Sequence, residues 1–165
     1  MNFLEKSNKL SKNIAVINDD GLEISYSQLD EFSTQLKTKL PARSVIFSLN
    51  KNTIGSIVGY YSFIKNKVIP FMLEAKMDKS LIDNLISFYN PQYIWLPTEI
   101  SSNYSKSSII YSIFDYSLIK LENNEKPKVH NDLALLLSTS GSTGSPKFVK
   151  ISYNNIRSNA SSIIK

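Results

Sequence analysis

Residues 14–26 read IAVINDDGLEISY, two short β-prone runs on either side of Asp19-Asp20-Gly21, and Asp-Gly between such runs predicts a hairpin. Ser25, followed three residues later by Gln28, has capping-box spacing, and Leu29, Phe32, Leu36 and Leu40 then recur at helical intervals until Pro41. An amphipathic helix is the prediction. Residues 44–49 form a short apolar strand, and after Asn50-Lys51-Asn52 a second helix is marked by Ile54, Ile57, Val58, Tyr61 and Ile64. Residues 68–73 repeat the strand. Asp78 is placed to cap a third helix carrying Leu81, Ile82, Leu85, Ile86 and Tyr89, and 93–96 is the next strand. From 97 to 131 Ser, Asn and Lys dominate; two β-like runs, 109–114 and 117–121, allow a looser connection or a small edge hairpin. Then come a continuous apolar strand at 133–137, a short strand at 148–151 and a helical stretch at 153–164. Strands alternating with helices predict an α/β fold, a mainly parallel sheet flanked by helices. Its 165 residues, 42% hydrophobic, are expected to form one domain.

Composition removes several chemistries. There is no cysteine, so thiol catalysis, disulfides and thiolate metal sites are excluded, and the single His130 makes no metal cluster alone. His130, in a polar stretch, reads as an exposed loop residue. No uncharged apolar run reaches membrane-spanning length and the N-terminus has no signal-peptide core, so a cytoplasmic protein without a membrane span is expected. The net charge of +5 is unevenly placed. Between 133 and 165 lie Lys147, Lys150, Arg157 and Lys165 and no acid, while the preceding residues are nearly balanced. Positive potential gathered in one place suits a small polyanion at least as well as a nucleic-acid backbone, and no nucleic-acid partner is expected.

Residues 138–147, STSGSTGSPK, stand where that potential gathers, at the end of the apolar strand. Two are glycine, one proline, one lysine, and the other six carry hydroxyls. Glycines let backbone N–H groups approach an anion, hydroxyls add uncharged donors, and Lys147 adds one full charge. The generic phosphate loop is excluded because Lys147 is preceded by Pro146 and followed by Phe148, and the dinucleotide fingerprint because no third glycine follows Gly141 and Gly144. A serine nucleophile would have only His130 as imidazole base.

The run 136–155, LLSTSGSTGSPKFVKISYNN, resembles the phosphate-binding signature of the adenylate-forming superfamily: acyl-CoA synthetases, adenylation domains of nonribosomal peptide synthetases, and luciferases. Thr139, Ser140, Gly141, Ser142, Thr143, Gly144, Ser145, Pro146 and Lys147 follow that order, and Val149, Ser152 and Asn155 also fit. Two positions depart: Phe148 stands where glycine is frequent and Tyr153 where histidine is frequent. The resemblance is specific after 133. Before it, similarity extends to the hairpin, Ser25-Tyr26, the Gly59-Tyr60-Tyr61 helix and the strand from Val68 to Pro70.

The resemblance implies the N-terminal part of an ATP-dependent ligase that activates a carboxylic acid as an acyl-adenylate and passes it to a thiol or amine. It implies that Thr139, Ser140, Gly141, Ser142, Thr143, Gly144 and Lys147 bind the ATP phosphates, with Mg²⁺ as counter-ion and CoA or a phosphopantetheine carrier as acceptor. No catalytic residue and no metal ligand is assigned in this chain. The family's adenine loop, metal-binding Glu, ribose-binding Asp, hinge and catalytic lysine would lie beyond Lys165, so the chain alone is expected to be inactive, completed by the remainder of the polypeptide or a separate chain. The alternative is a stand-alone nucleotide-phosphate-binding module. With later strands absent, strand 133–137 is expected to present an unpaired edge or lose its cover.

Overall fold

Each of the first three helices begins where its sequence signal stands. The computed structural model describes residues 11–104, 107–122, 127–139 and 147–163. Strands β1 (Ile14–Ile17) and β2 (Glu23–Ser25) pair antiparallel around a turn in which Gly21 takes φ 80°. Ser25 caps α1 (Tyr26–Lys37) through the full capping box with Gln28. The helix ends at Lys37, short of Pro41, because a residue before proline is steered out of the helical region; Leu40 still reaches the core, 2% exposed. Strand β3 (Val45–Asn50), helix α2 (Ile54–Lys65), strand β4 (Ile69–Glu74), helix α3 (Lys79–Tyr89) and strand β5 (Tyr93–Pro97) follow. Asp78 caps α3 by accepting from the Ser80 N–H at 2.8 Å; the Ser80 hydroxyl and N–H together hold its carboxyl below the usual carboxylate range.

After a 3₁₀ segment, Thr98–Tyr104, β6 (Ser108–Ile113) and β7 (Tyr116–Lys120) form a hairpin, so the hairpin reading of 97–131 holds and the loose connection does not. Strands β8 (Leu133–Thr139) and β9 (Lys147–Ser152) and helix α4 (Tyr153–Ile163) complete the order. The seven-stranded sheet runs β6-β7-β5-β3-β4-β8-β9. Its centre, β5-β3-β4-β8, is parallel, and each flank is an antiparallel hairpin.

Side chains alternate across the sheet. Ile46, Val68, Tyr93, Trp95 and Leu118 face α1 and α2, whereas Phe47, Phe71, Leu73, Ile94 and Leu136 face α3. Continuous apolar strands are what a sheet covered on both faces requires. Strand β8 is not the unpaired edge expected from sequence: β4 and β9 pair on its two sides, and β9 is the outer strand. What it lacks is cover at one end. Leu137 and its cross-strand partner Val149 are 42% and 45% exposed.

Candidate functional site

Because β3 and β4 are parallel and in register from Val45 and Ile69 to Asn50 and Glu74, their carboxyl ends share one edge of the sheet. The chain leaves β3 for α2 on one face and β4 for α3 on the other, so the two connections diverge at that edge, the kind of switch point where α/β sheets take ligands. Strand β8, parallel to β4, delivers Thr139 there, and β9 begins there with Lys147. Residues 140–146, which join them, lie outside the described residues, and with them the sequence-predicted Ser140, Gly141, Ser142, Thr143 and Gly144.

The two described members of the predicted set come together: Thr139 and Lys147 form the last cross-strand pair of the β8–β9 hairpin, and the Thr139 hydroxyl donates to the Lys147 carbonyl at 3.1 Å. Ser138 donates to the Met72 carbonyl of β4 at 3.0 Å, one residue past the final β4–β8 register pair, Met72 with Leu137. Lys147 is exposed, and among the described residues no acid forms an ion pair with it. A cation so placed is available to an anion.

This edge of the sheet is braced by Asn50, whose carboxamide is used on both sides. Its Nδ2 donates to the carbonyls of Ser48 (2.7 Å) and Leu73 (3.1 Å), and its Oδ1 accepts from the hydroxyls of Ser48 and Ser56, both at 2.9 Å. One side chain thus joins β3, β4 and the first turn of α2. Beside it the Tyr116 hydroxyl donates to the Leu49 carbonyl and accepts from the Lys51 N–H, both at 2.9 Å, while Lys51 pairs with Glu99, which raises its pKa above the ordinary lysine value. Burial pushes the Tyr116 phenol up, so it serves as a neutral strut.

Arg43 anchors the opposite end of β8. Its guanidinium donates to the carbonyls of His130 (2.6 Å) and Leu133 (2.8 Å), from a backbone at φ 64°. A rigid fork is what two converging carbonyls need, and although Arg43 and Arg157 are the only arginines of this lysine-rich chain, no pattern in the sequence marked Arg43 for this contact. Replacing Arg43 with methionine is expected to cost about 2 kcal/mol, the charged hydrogen bonds less their exposure, read as a lower urea midpoint at unchanged slope. His130 is exposed, as the sequence predicted, and precedes the amino end of β8. Six strand steps, about 20 Å, separate Leu133 from Thr139, which removes His130 as a base for Ser138, the described serine at that end.

The two departures from the common motif have structural partners. Phe148 fills the α3 face, its ring 5.2 Å from Phe71 and 5.3 Å from Tyr89. Tyr153 opens α4 at the far end of β9, near Arg43, its buried phenol pushed up in pKa chiefly by desolvation. A separate groove of about 450 Å³ lies between the β1–β2 turn, the start of α2 and the β6–β7 turn. Asp19, Asp20 and Asp115 line it, which suits it poorly to phosphate. Among the described residues no group of three His, Asp or Glu converges as a metal site, and no helix is long and apolar enough to cross a membrane.

No family model matches the chain. Nonribosomal peptide synthetase kk1B of Curvularia clavata is 25% identical over 154 residues, a match covering 85% of this chain and 1% of that protein. A plipastatin synthase of Bacillus subtilis is 27% identical over 166 residues, 93% of this chain and 6% of its own length. Among solved structures, O-succinylbenzoate coenzyme A synthetase from Bacillus subtilis in complex with AMP superposes with a TM-score of 0.69 at 16% identity, covering 98% of this chain and 45% of that enzyme. The chain therefore spans a few per cent of the synthetases it matches and less than half of the solved enzyme.

Proposed function

We propose that this chain, similar in sequence to peptide synthetases and in fold to adenylate-forming enzymes, is a stretch of the N-terminal portion of such an enzyme's large domain and supplies the pyrophosphate-holding side of an ATP-dependent ligase. In that reaction a carboxylate oxygen attacks the α-phosphorus of ATP, the bond from that phosphorus to the bridging oxygen breaks, and pyrophosphate departs, leaving an acyl-adenylate. The acyl group then passes to a thiol or amine, of CoA or of a phosphopantetheine carrier.

The observation that carries the reading is an exposed cation at the carboxyl ends of β4 and β8, where the connections from β3 and β4 diverge, in a stretch of sequence without acids. The loop from Thr139 to Lys147, with Ser140, Gly141, Ser142, Thr143 and Gly144, holds the β- and γ-phosphates. Backbone N–H groups and hydroxyls aimed at oxygens where charge develops stabilise the transition state more than the ground state. Lys147 offsets the growing charge on the leaving pyrophosphate. Mg²⁺ accompanying the nucleotide would supply further charge neutralisation, and no residue of this chain is assigned to hold it. Such a ligase draws on ATP and works in the cytoplasm.

The test is exchange of labelled pyrophosphate into ATP. The complete gene product carrying this sequence is expected to exchange in a carboxylate-dependent manner, and residues 1–165 alone are not. Exchange by the 165-residue chain would remove the need for a completing segment. Tripolyphosphate binding without exchange by the complete product would favour the stand-alone binding module.

A further inference from the structure

We propose that the groove between the β1–β2 turn, the start of α2 and the β6–β7 turn docks a segment of another protein in which large aliphatic side chains are flanked by lysine or arginine. Its walls are apolar and in water: Ile17, Leu22, Ile57 and Phe114 are between 42% and 61% exposed. Its charged rim has one sign. Asp19, Asp20 and Asp115 line it and, among the described residues, no lysine or arginine does, in a chain that carries 19 bases against 14 acids. Apolar walls left in water and rimmed by polar groups mark a surface that another molecule covers. No residue of β4, β8 or β9 lines the groove, so the proposal stands whether or not Lys147 meets a phosphate.

The turns on either side hold the groove in shape before anything binds. The Leu22 N–H donates to the Asn18 Oδ1 at 2.7 Å and the Gly21 N–H to the Asn18 carbonyl at 3.0 Å, which fixes the backbone of Asp19 and Asp20 between them. On the other side Phe114 stands at φ 52°, a conformation that strains a bulky residue and that glycine would take freely. Its ring meets Phe32 edge-on at 5.3 Å and still faces water, so packing inside the chain explains only part of it. Shape and charge then choose the occupant. A trough of about 450 Å³ with walls this exposed leaves much of a small ligand in water, whereas a peptide can lie across the rim with one or two side chains down. Lysine and arginine stems run along apolar walls while their heads reach carboxylates. A second copy set across a two-fold axis would bring two sets of aspartates together, so the complementary charge belongs to a different chain.

The experiment is a fluorescence-anisotropy titration of the complete gene product into a labelled glycine-serine peptide with Lys-Leu-Leu-Lys at its centre. Two control peptides carry glutamate for the lysines or serine for the leucines, and each is expected to bind at least about tenfold more weakly. Phe114→Asn relieves the turn and removes the ring. It is expected to weaken binding about tenfold, the loss of an aromatic anchor, with the urea midpoint unmoved or raised. The Asp19→Asn/Asp20→Asn double variant is expected to lose about fivefold at low salt and less at high salt, where the aspartates are screened. Should Phe114→Asn disturb the turn, Ile57→Ala on the exposed side of α2 is the second variant, with an expected loss of about fivefold. No binding of the lysine-leucine peptide, equal binding of either control, or parent affinity in both apolar variants would overturn the proposal. Sedimentation of the complete product alone tests the other occupant: a dimer that Phe114→Asn dissociates would give the groove to a second copy and overturn it as well.

Discussion

Alanine at Gly59 is expected to destabilise the fold by about 3 kcal/mol, a large cost for one added methyl group. The cause is the approach of Trp95, which is fully buried and lies against the helix where glycine leaves room. A Cβ on Gly59 would sit 2.3 Å from the indole Nε1 and 2.7 Å from Cδ1, both inside contact distance. That nitrogen donates to the Gly55 carbonyl at 3.1 Å, so a shift of the ring also leaves a buried donor unpaired. Overpacking typically costs about 1–3 kcal/mol and an orphaned buried donor about 1–3 more, against about 1 kcal/mol gained in helix propensity. The ring has little room to move. It stacks on Tyr116 at 5.3 Å and meets Phe63 edge-on at 6.1 Å. Urea denaturation should show a lower midpoint, and since Trp95 is the chain's one tryptophan, its emission should shift to the red in the folded state. Ile57→Ala, at a position 42% exposed on the same helix, is expected to cost less than about 1 kcal/mol. A Gly59→Ala midpoint equal to the parent's would show that the ring is not seated as described.

That contact also marks where the sequence stopped being informative. Asp-Gly at the hairpin, the Ser25–Gln28 box and Asp78 before α3 are local signals, and each element began where they stand. Alternation of strand and helix carried the fold class, because helices between parallel strands leave no other simple route for the chain. The β6–β7 hairpin was harder to read. Tyr116, Ser117, Leu118 and Ile119 are all buried, so β7 has no alternation to show, and the polar residues around it dilute the apolar count. The bonds that brace the site span long separations: Arg43 to His130 and Leu133, Asn50 to Leu73, Trp95 to Gly55. None has a local pattern. At the site, residue order alone pointed to polyphosphate, since glycines, hydroxyls and one lysine leave few other ligands. That Ser138 and Thr139 give their protons to the Met72 and Lys147 carbonyls was not readable, because sequence lists donors without saying which carbonyl takes each proton.

Methionine at Lys147 is expected to lower carboxylate-dependent pyrophosphate exchange in the complete gene product by about 10²–10³, the loss seen when one donor to a developing oxyanion is removed. The reasoning is one of charge supply. Pyrophosphate leaves with more negative charge than it carried in ATP, and Lys147 is the only full positive charge within 138–147. Loop hydroxyls and N–H groups can orient the anion, yet a neutral donor stabilises it roughly half as well as a charged one. Lys150, three residues along β9, lies too far down the strand to substitute, about 10 Å at roughly 3.3 Å per residue. The side chain of Lys147 is exposed and has no ion-pair partner among the described residues, so its loss should leave stability within about 0.5 kcal/mol. Activity and stability should therefore separate, with the thermal midpoint unchanged and exchange nearly abolished. Lys147→Arg keeps the charge but replaces a compact ammonium with a broad fork, and intermediate exchange is the expected result. Parent-level exchange in Lys147→Met would place the leaving-group charge on other residues and remove this lysine from the chemistry.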